Sequence, residues 1–288
     1  MALASVWGAQ SSSFEFMLIG TGSRAGAMGE AATAVSGDVG APYFNPASAG
    51  VMHKTEFSFM HIKYLTDATL EQFSFITRTD RVNYGMGLYL GRIANIARRG
   101  DIPTDNPSYF DEHNFTGSIF WAIQFNKHLS MGNSIKLAYE KIDLGSASAL
   151  ALDFGAFYTL TPEIALGASV RNIGTRPKFE AVAYDLPLEF RAGVSYRTPQ
   201  ESRLKGLLLS SDFVQPRWGT RNSKINFGAE YNYQNLVALR IGYSNGYDSR
   251  GISAGGGISY QHYFFDYAFI PSHNNLSSTH RFTLRIRI

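Results

Sequence analysis

Residues 188–197 read Leu-Glu-Phe-Arg-Ala-Gly-Val-Ser-Tyr-Arg, and every second side chain is apolar. Leu188, Phe190, Ala192, Val194 and Tyr196 share one face, while Glu189, Arg191, Gly193, Ser195 and Arg197 share the other. A period of two is the signature of a β-strand, whose successive side chains point to opposite faces. The alternation returns about fourteen times between residues 55 and 288, with no helical segments between the runs. Two folds accommodate such a chain. One is a sandwich of two sheets in water; the other is a closed barrel in a membrane, with a lipid-facing wall and a polar lumen.

The runs cover 55–64, 70–79, 82–92, 115–125, 132–142, 149–160, 164–173, 188–197, 206–213, 224–233, 236–243, 252–260, 263–269 and 281–288. Most are close to the 9–11 residues that a tilted transmembrane strand needs. Their number is even, as is usual for bacterial barrels. Short and long connections tend to alternate; 93–114 and 174–187 are long, and 143–148 is short for its side. Short turns on one side and long loops on the other suit an outer-membrane barrel, whereas a soluble sandwich has no reason for that order. Charged residues are 17% of the 288, and aromatics are 14%. The first figure is below the roughly 25% of soluble domains, and the second suits an aromatic girdle. The expected fold is therefore all-β: a transmembrane antiparallel β-barrel of about fourteen strands in the outer membrane of a Gram-negative (diderm) bacterium, with outer-membrane lipids as partners. The first two runs are apolar on both faces. They could meet lipid outside and the plug inside, or form ordinary buried strands.

Residues 20–50 break the pattern. They are dominated by Gly, Ala and Ser, so backbone can lie close against other backbone. The expected arrangement is an N-terminal segment and lumenal plug over 1–54, with the barrel over 55–288. Gly26, Gly29, Asp38, Asn45 and Pro46 mark the plug motif. Residues 27–35 are expected to form one or two helical turns. Asn45-Pro46-Ala47, on local grounds alone, reads as a plain surface turn. Residues 1–10 read either as the tail of a signal peptide or as a mature N-terminus.

No residue constellation indicates an enzyme or a cofactor. The seven histidines fall singly, mostly at turns and loops, without metal-ligand spacing. Two GxSxG strings, around Ser244 and Ser253, do not lead into a helical pattern and are expected to be chance matches. Asp101, Asp105, Asp111 and Glu112 cluster in one loop, where solvation is favoured over Ca2+ binding. There is no Cys, and the net charge of +3 is spread along the chain, so nucleic-acid binding is set aside. Arg171, Arg191, Arg197, Arg240, Arg285 and Arg287 should point into the lumen with Glu189, Glu230, Asp153 and Asp212. Because both signs are present, a charge network that anchors the plug is favoured over an Arg clamp for a carboxylate. Tyr109, Phe110, Phe179 and Tyr184 lie in the two long loops, where exposed aromatics suit docking.

The string Ala-Gly-Ala-Met-Gly-Glu-Ala at 25–31, followed by Ala-Val-Ser-Gly-Asp at 34–38 and Tyr-Phe-Asn-Pro-Ala-Ser at 43–48, resembles the N-terminal signature of the FadL-like superfamily. It is closest to the PorV/PorQ branch. The resemblance implies a fourteen-stranded outer-membrane barrel with its N-terminus folded inside. In the PorV branch it implies a component of the type IX secretion system, with secretion proteins and secreted cargo as partners. In the FadL branch it implies a transporter of fatty acids or other hydrophobic compounds. The two expectations differ in the lumen: transport needs an apolar path, and a docking partner needs a lumen closed by its plug.

Overall fold

The computed structural model describes residues 13–64, 68–98, 107–179, 182–217, 222–272 and 277–288. The described strands are β1 (Glu56–Tyr64), β2 (Ala68–Thr77), β3 (Val82–Ala97), β4 (Tyr109–Gln124), β5 (Leu129–Ile142), β6 (Gly145–Thr159), β7 (Ile164–Gly174), β8 (Lys178–Phe179), β9 (Val182–Ala183), β10 (Glu189–Arg197), β11 (Leu207–Pro216), β12 (Lys224–Tyr233), β13 (Val237–Asn245), β14 (Ile252–Tyr260), β15 (Tyr263–Ile270) and β16 (Thr279–Arg287). All but β8 and β9 join one closed antiparallel barrel, in which β1 pairs with β16 to complete a fourteen-stranded ring. β8 and β9 form a small hairpin inside the connection from β7 to β10.

Closure leaves no open edge, so every strand finds partners on both sides. The outer face carries the apolar half of each alternation. Leu90, Ile119, Leu137, Leu239, Ile241 and Ile258 are exposed there, as a lipid-facing wall requires. Exposed aromatics ring the rim of short turns: Tyr84, Phe125, Tyr158, Tyr196, Tyr233, Tyr260 and Tyr263. Both ends of the barrel sheet, at Glu56 and Arg287, lie on this rim.

The strands run further than the alternation suggested. β3 continues to Ala97 and β4 begins at Tyr109, so the expected loop over 93–114 shrinks to 98–108. Asn95, with φ 59°, lies at a register shift between Ile93 and Ile96, and that bulge hid the continuation. Likewise β5 and β6 are joined by Asp143 and Leu144 alone. In β1, Phe59 is exposed while Met60 and Ile62 are buried against the N-terminal segment, so the two-faced apolar pattern serves both lipid and lumen.

The N-terminal segment fills the lumen. Its helical turn is Ser23–Ala27, not 27–35. Gly29 and Glu30 adopt φ of 64° and 60°, and left-handed backbone at two successive residues stops the helix and turns the chain back. A second short helix, Ala41–Phe44, is followed by the 3-10 turn Pro46–Val51, whose cap is Asn45. Residues 1–10 lie outside the described residues.

Candidate functional site

An irregular segment sealed inside a barrel must satisfy its backbone polar groups without bulk water. Wall side chains at alternate, inward positions do this. Ser253 accepts from Gly29 N and donates to Ala27 O, Ser244 donates to Gly29 O, Ser195 to Ala34 O, Ser169 to Phe44 O and Ser130 to Ala47 O. Asn83 donates to the carbonyls of Ala49 and Met52 at 2.8 Å. The serines of both GxSxG strings are thus plug-holding hydroxyls in strands, and neither string leads into a helix.

Contact is as close as the small residues allow. A Cβ built on Gly242 would lie 2.1 Å from Gly29 N, and one on Gly132 2.6 Å from Ala47 N. Such distances exclude any larger residue without moving the plug. Gly26 packs against the Arg281 side chain, 3.0 Å from where its own Cβ would be. Asn45, expected at a surface turn, is fully buried. Its Nδ2 donates to Thr33 O and Ala156 O, and its Oδ1 accepts from Ala47 N. The wall supplies the partner that local sequence could not reveal. Pro46 follows at the first position of the 3-10 turn, where its missing N–H costs nothing.

Charged side chains fill the middle of the lumen. Arg24 holds Glu230 through two bonds of 2.8 Å and Asp38 through a third. Glu230 also meets Arg240 at 2.6 Å, Arg240 meets Asp266 at 2.7 Å, and Asp266 meets Arg285 at 2.8 Å. Arg285 and Arg287 both reach Glu56, which has no exposed side-chain surface. A second chain links Arg171 to Glu189, Glu189 to Arg191 and Arg191 to Asp212. Asp212 accepts from the backbone of Ala32 and Thr33, from the Thr33 hydroxyl and from Arg191, all within 3.0 Å. Glu30 is held by Arg250 at 2.8 Å and Arg281 at 3.0 Å.

Burial alone would push the carboxyls of the plug up. For Asp38 the nearby Arg24 and Arg285 outweigh it and hold the group at about 2. Burial likewise opposes ionisation of Glu30, but Arg250 and Arg281 hold its carboxyl well below the usual carboxylate range. Burial disfavours the charge on Arg24 too, yet Glu230 and Asp38 raise it further above its ordinary value. Desolvation and attraction compete at every link, so the network is stable only when each partner is present.

Arg171, Arg191, Arg240, Glu189 and Glu230 all sit in this girdle, each buried. Arg197, expected among them, is exposed at the end of β10. Sequence alternation passed over Glu30, Glu56 and Arg24 as girdle members; Lys136, on the polar face of its run, pairs with Asp153 at 2.6 Å. A lone acid between aromatics, as in Phe265-Asp266-Tyr267, was the available signal for Asp266.

The outer half of the lumen is different. Phe14, Phe16, Met17 and Ile19 pack with Met60, Ile62, Leu70, Tyr89 and Leu186 in a buried apolar cluster. Tyr43 lies under it, its hydroxyl donating to Met17 O at 2.6 Å, and burial pushes that phenol up. A cavity of about 50 Å3 lies here against the inner face of β2 to β5. Two of the expected docking aromatics, Tyr109 and Phe110, stand in β4 rather than in a loop; Tyr109 is exposed and Phe110 half-buried. Phe179 turns inward, its ring 6.3 Å from Phe14 and 6.1 Å from Tyr184. It caps the chamber, because an apolar cluster lay within reach of the β8–β9 hairpin.

Asp101 and Asp105 lie outside the described residues. Asp111 and Glu112 point to opposite sides of β4, Asp111 to Arg92 and Glu112 to Asn114, so they do not converge on one ion. Among the described residues, three histidines are in strands rather than loops: His61 meets Glu71, His113 stands on β4, and His280 meets the Tyr267 hydroxyl.

A model of an uncharacterised protein family, UPF0164, matches residues 6–182, and that is more than half of the chain. The chain belongs to this family. No curated protein matches the UPF0164 chain in sequence. Solved structures do match its fold. The Pseudomonas putida toluene transporter TodX is 14% identical, with a TM-score of 0.68 over 97% of this chain and 99% of that one. The monoaromatic hydrocarbon channel CymD is 14% identical, with a TM-score of 0.65 over 96% of this chain and 98% of that one. A Pseudomonas aeruginosa FadL homologue is 11% identical, with a TM-score of 0.62 over 93% of this chain and 98% of that one. At these identities the likeness establishes the fold alone, a closed fourteen-stranded barrel like those of these channels.

Proposed function

We propose that this protein admits hydrophobic compounds through the outer membrane, with residues 1–54 as the gate and 55–288 as the wall. The observation that carries the reading is the packed apolar cluster in the outer half of the lumen, where Phe14, Phe16, Met17 and Ile19 meet β1, β2 and β3. An apolar solute that parts these side chains gains about 25 cal/mol per Å2 that it buries among them. The chamber is floored by the gate itself, so passage requires the segment to shift. The fold shared with hydrocarbon channels supports the same reading.

Uptake of radiolabelled oleate by cells lacking their own importer tests it. The chain contains no Cys, and Ser23 Oγ lies 2.7 Å from Thr283 Oγ1. Ser23→Cys with Thr283→Cys should therefore tether the gate to the wall. Expression of the native chain is expected to raise uptake, oxidation of the double variant to abolish the rise, and reduction to restore it. No uptake above the empty vector would defeat the reading.

The closed lumen favours a second reading, a PorV-like component of a secretion machine that docks other secretion proteins and cargo through the outer rim near Tyr109 and Phe110. Purification from native membranes tests that reading. Co-purification of a much larger barrel or a surface-protein cargo supports it, and a monomer carrying lipid or fatty acid counts against it.

A further inference from the structure

The outer chamber is not uniformly apolar. Three hydroxyls on the lining of its cavity have no hydrogen-bond partner: Thr21 Oγ1, Tyr89 OH and Thr116 Oγ1. Thr21 is 2% exposed and Tyr89 7%. A buried hydroxyl without a partner in the protein is costly, so this lining favours an occupant that can both donate and accept a hydrogen bond. The neighbouring cation is already committed. Lys136 Nζ lies 2.6 Å from Asp153 Oδ2 and donates to Asn172 Oδ1 at 3.0 Å. What the lining offers is thus neutral: hydroxyls that both donate and accept.

Size narrows the ligand further. The cavity measures about 50 Å3. A cavity of ~150 Å3 takes a benzene ring, and a water's share of the liquid is ~30 Å3, so this space suits a hydroxyl and its methylene rather than a ring. Phe16 and Met17 supply apolar surface beside it. Phe16 stacks on Tyr89, ring centroids 5.9 Å apart and 23° between planes, which fixes the direction of the phenol.

We propose that this cavity binds the hydroxyl end of an uncharged long-chain alcohol, with the alkyl chain displacing part of the packed apolar cluster formed by Phe14, Met17 and Ile19. The inference rests on reading the outer half of the lumen as a binding chamber. Tyr89, Thr21 and Thr116 hold the hydroxyl. A carboxylate is disfavoured, because Asp153 already neutralises Lys136 and a buried charge without a counter-ion is expensive.

The test uses the full chain in lipid nanodiscs and a diazirine-bearing octanol, photolysed and mapped by mass spectrometry. Labelling is expected within 14–21 and 85–91, and 1-octanol should compete at least about ten-fold better than octanoate. Tyr89→Phe with Thr116→Val should lower chamber labelling about ten-fold while leaving the lipid-facing wall labelled as before. Heat-modifiable gel mobility verifies folding, and Thr116→Val alone serves if the double variant fails to assemble. Labelling confined to the lipid-facing wall, equal competition by octanoate, or chamber labelling unchanged by the substitutions would each overturn the proposal. Chamber labelling without oleate uptake would keep this site and remove the transport reading; uptake without chamber labelling would do the reverse.

Discussion

The two ends of the N-terminal segment are held by different physics. Residues 22–50 are tied to the wall by ion pairs, by serine hydroxyls and by glycine-to-backbone contacts at van der Waals limits. Residues 14–19 lean on apolar packing, with a few polar ties: Phe14 N to Glu140, and Met17 O receiving Tyr43 and Arg171. Ion pairs and packed glycines lock a position, because small displacements break many directional contacts at once. Apolar packing is non-directional and yields to any solute that offers equivalent surface. Under the proposed function, the locked part holds the barrel shut and the greasy part meets a ligand.

The sharpest way to break that contrast is to remove an anchor from the locked part. Asp212→Ala strips four hydrogen bonds from Ala32, Thr33 and Arg191. Loss of one partner of a buried ion pair costs about 3–5 kcal/mol, which should appear as a lowered urea midpoint in lipid vesicles and as new ion conductance in planar bilayers. A midpoint within error of the native chain would show that the girdle holds nothing.

Overfilling the contact should have the next largest effect. Gly242→Val places a side chain where Gly29 N already lies. Overpacking of this kind costs about 1–3 kcal/mol, and limited proteolysis should cut within 22–34 only in the variant.

Acid should loosen the same region. The Asp38 and Glu30 carboxyls are held below their ordinary values. Their contribution is complete above about pH 5 and is lost as pH falls through the folded value, about 2 for Asp38. For Asp38 the loss is on the order of 2 kcal/mol. Stability measured from pH 5 downward should fall with acid, and a rise would contradict the pairing.

The smallest effect belongs to the greasy end. Phe16→Ala should shift the global urea midpoint by under about 1 kcal/mol, because a region that opens locally contributes little to global stability. A loss as large as that of Asp212→Ala would erase the contrast.

Much of the barrel was legible because its solvent is two-sided. Leu188 to Arg197 sorts cleanly between lipid and lumen, and so do the closing residues Arg281 to Arg287, since each face meets one environment. The ends of strands were less legible. Around Asn95 a bulge interrupts the period while pairing continues, and no residue pattern announces that. The girdle was half legible. Inward Arg and Glu on strands follow from alternation, but their plug partners do not, because Arg24, Glu30 and Asp38 lie in a segment without periodicity. Asn45 is the clearest case: its partners Thr33 and Ala156 are remote in sequence, so only the folded wall makes a local turn residue into a buried anchor.

Hydrogen exchange followed by mass spectrometry, on the full chain in nanodiscs, tests the division of the lumen most directly. Amides of 14–19 are expected to exchange at least about a hundred-fold faster than those of 22–34, a gap of roughly 3 kcal/mol in opening free energy. Equal protection across 14–34, or earlier exchange in 22–34, would contradict a locked middle and a yielding outer end.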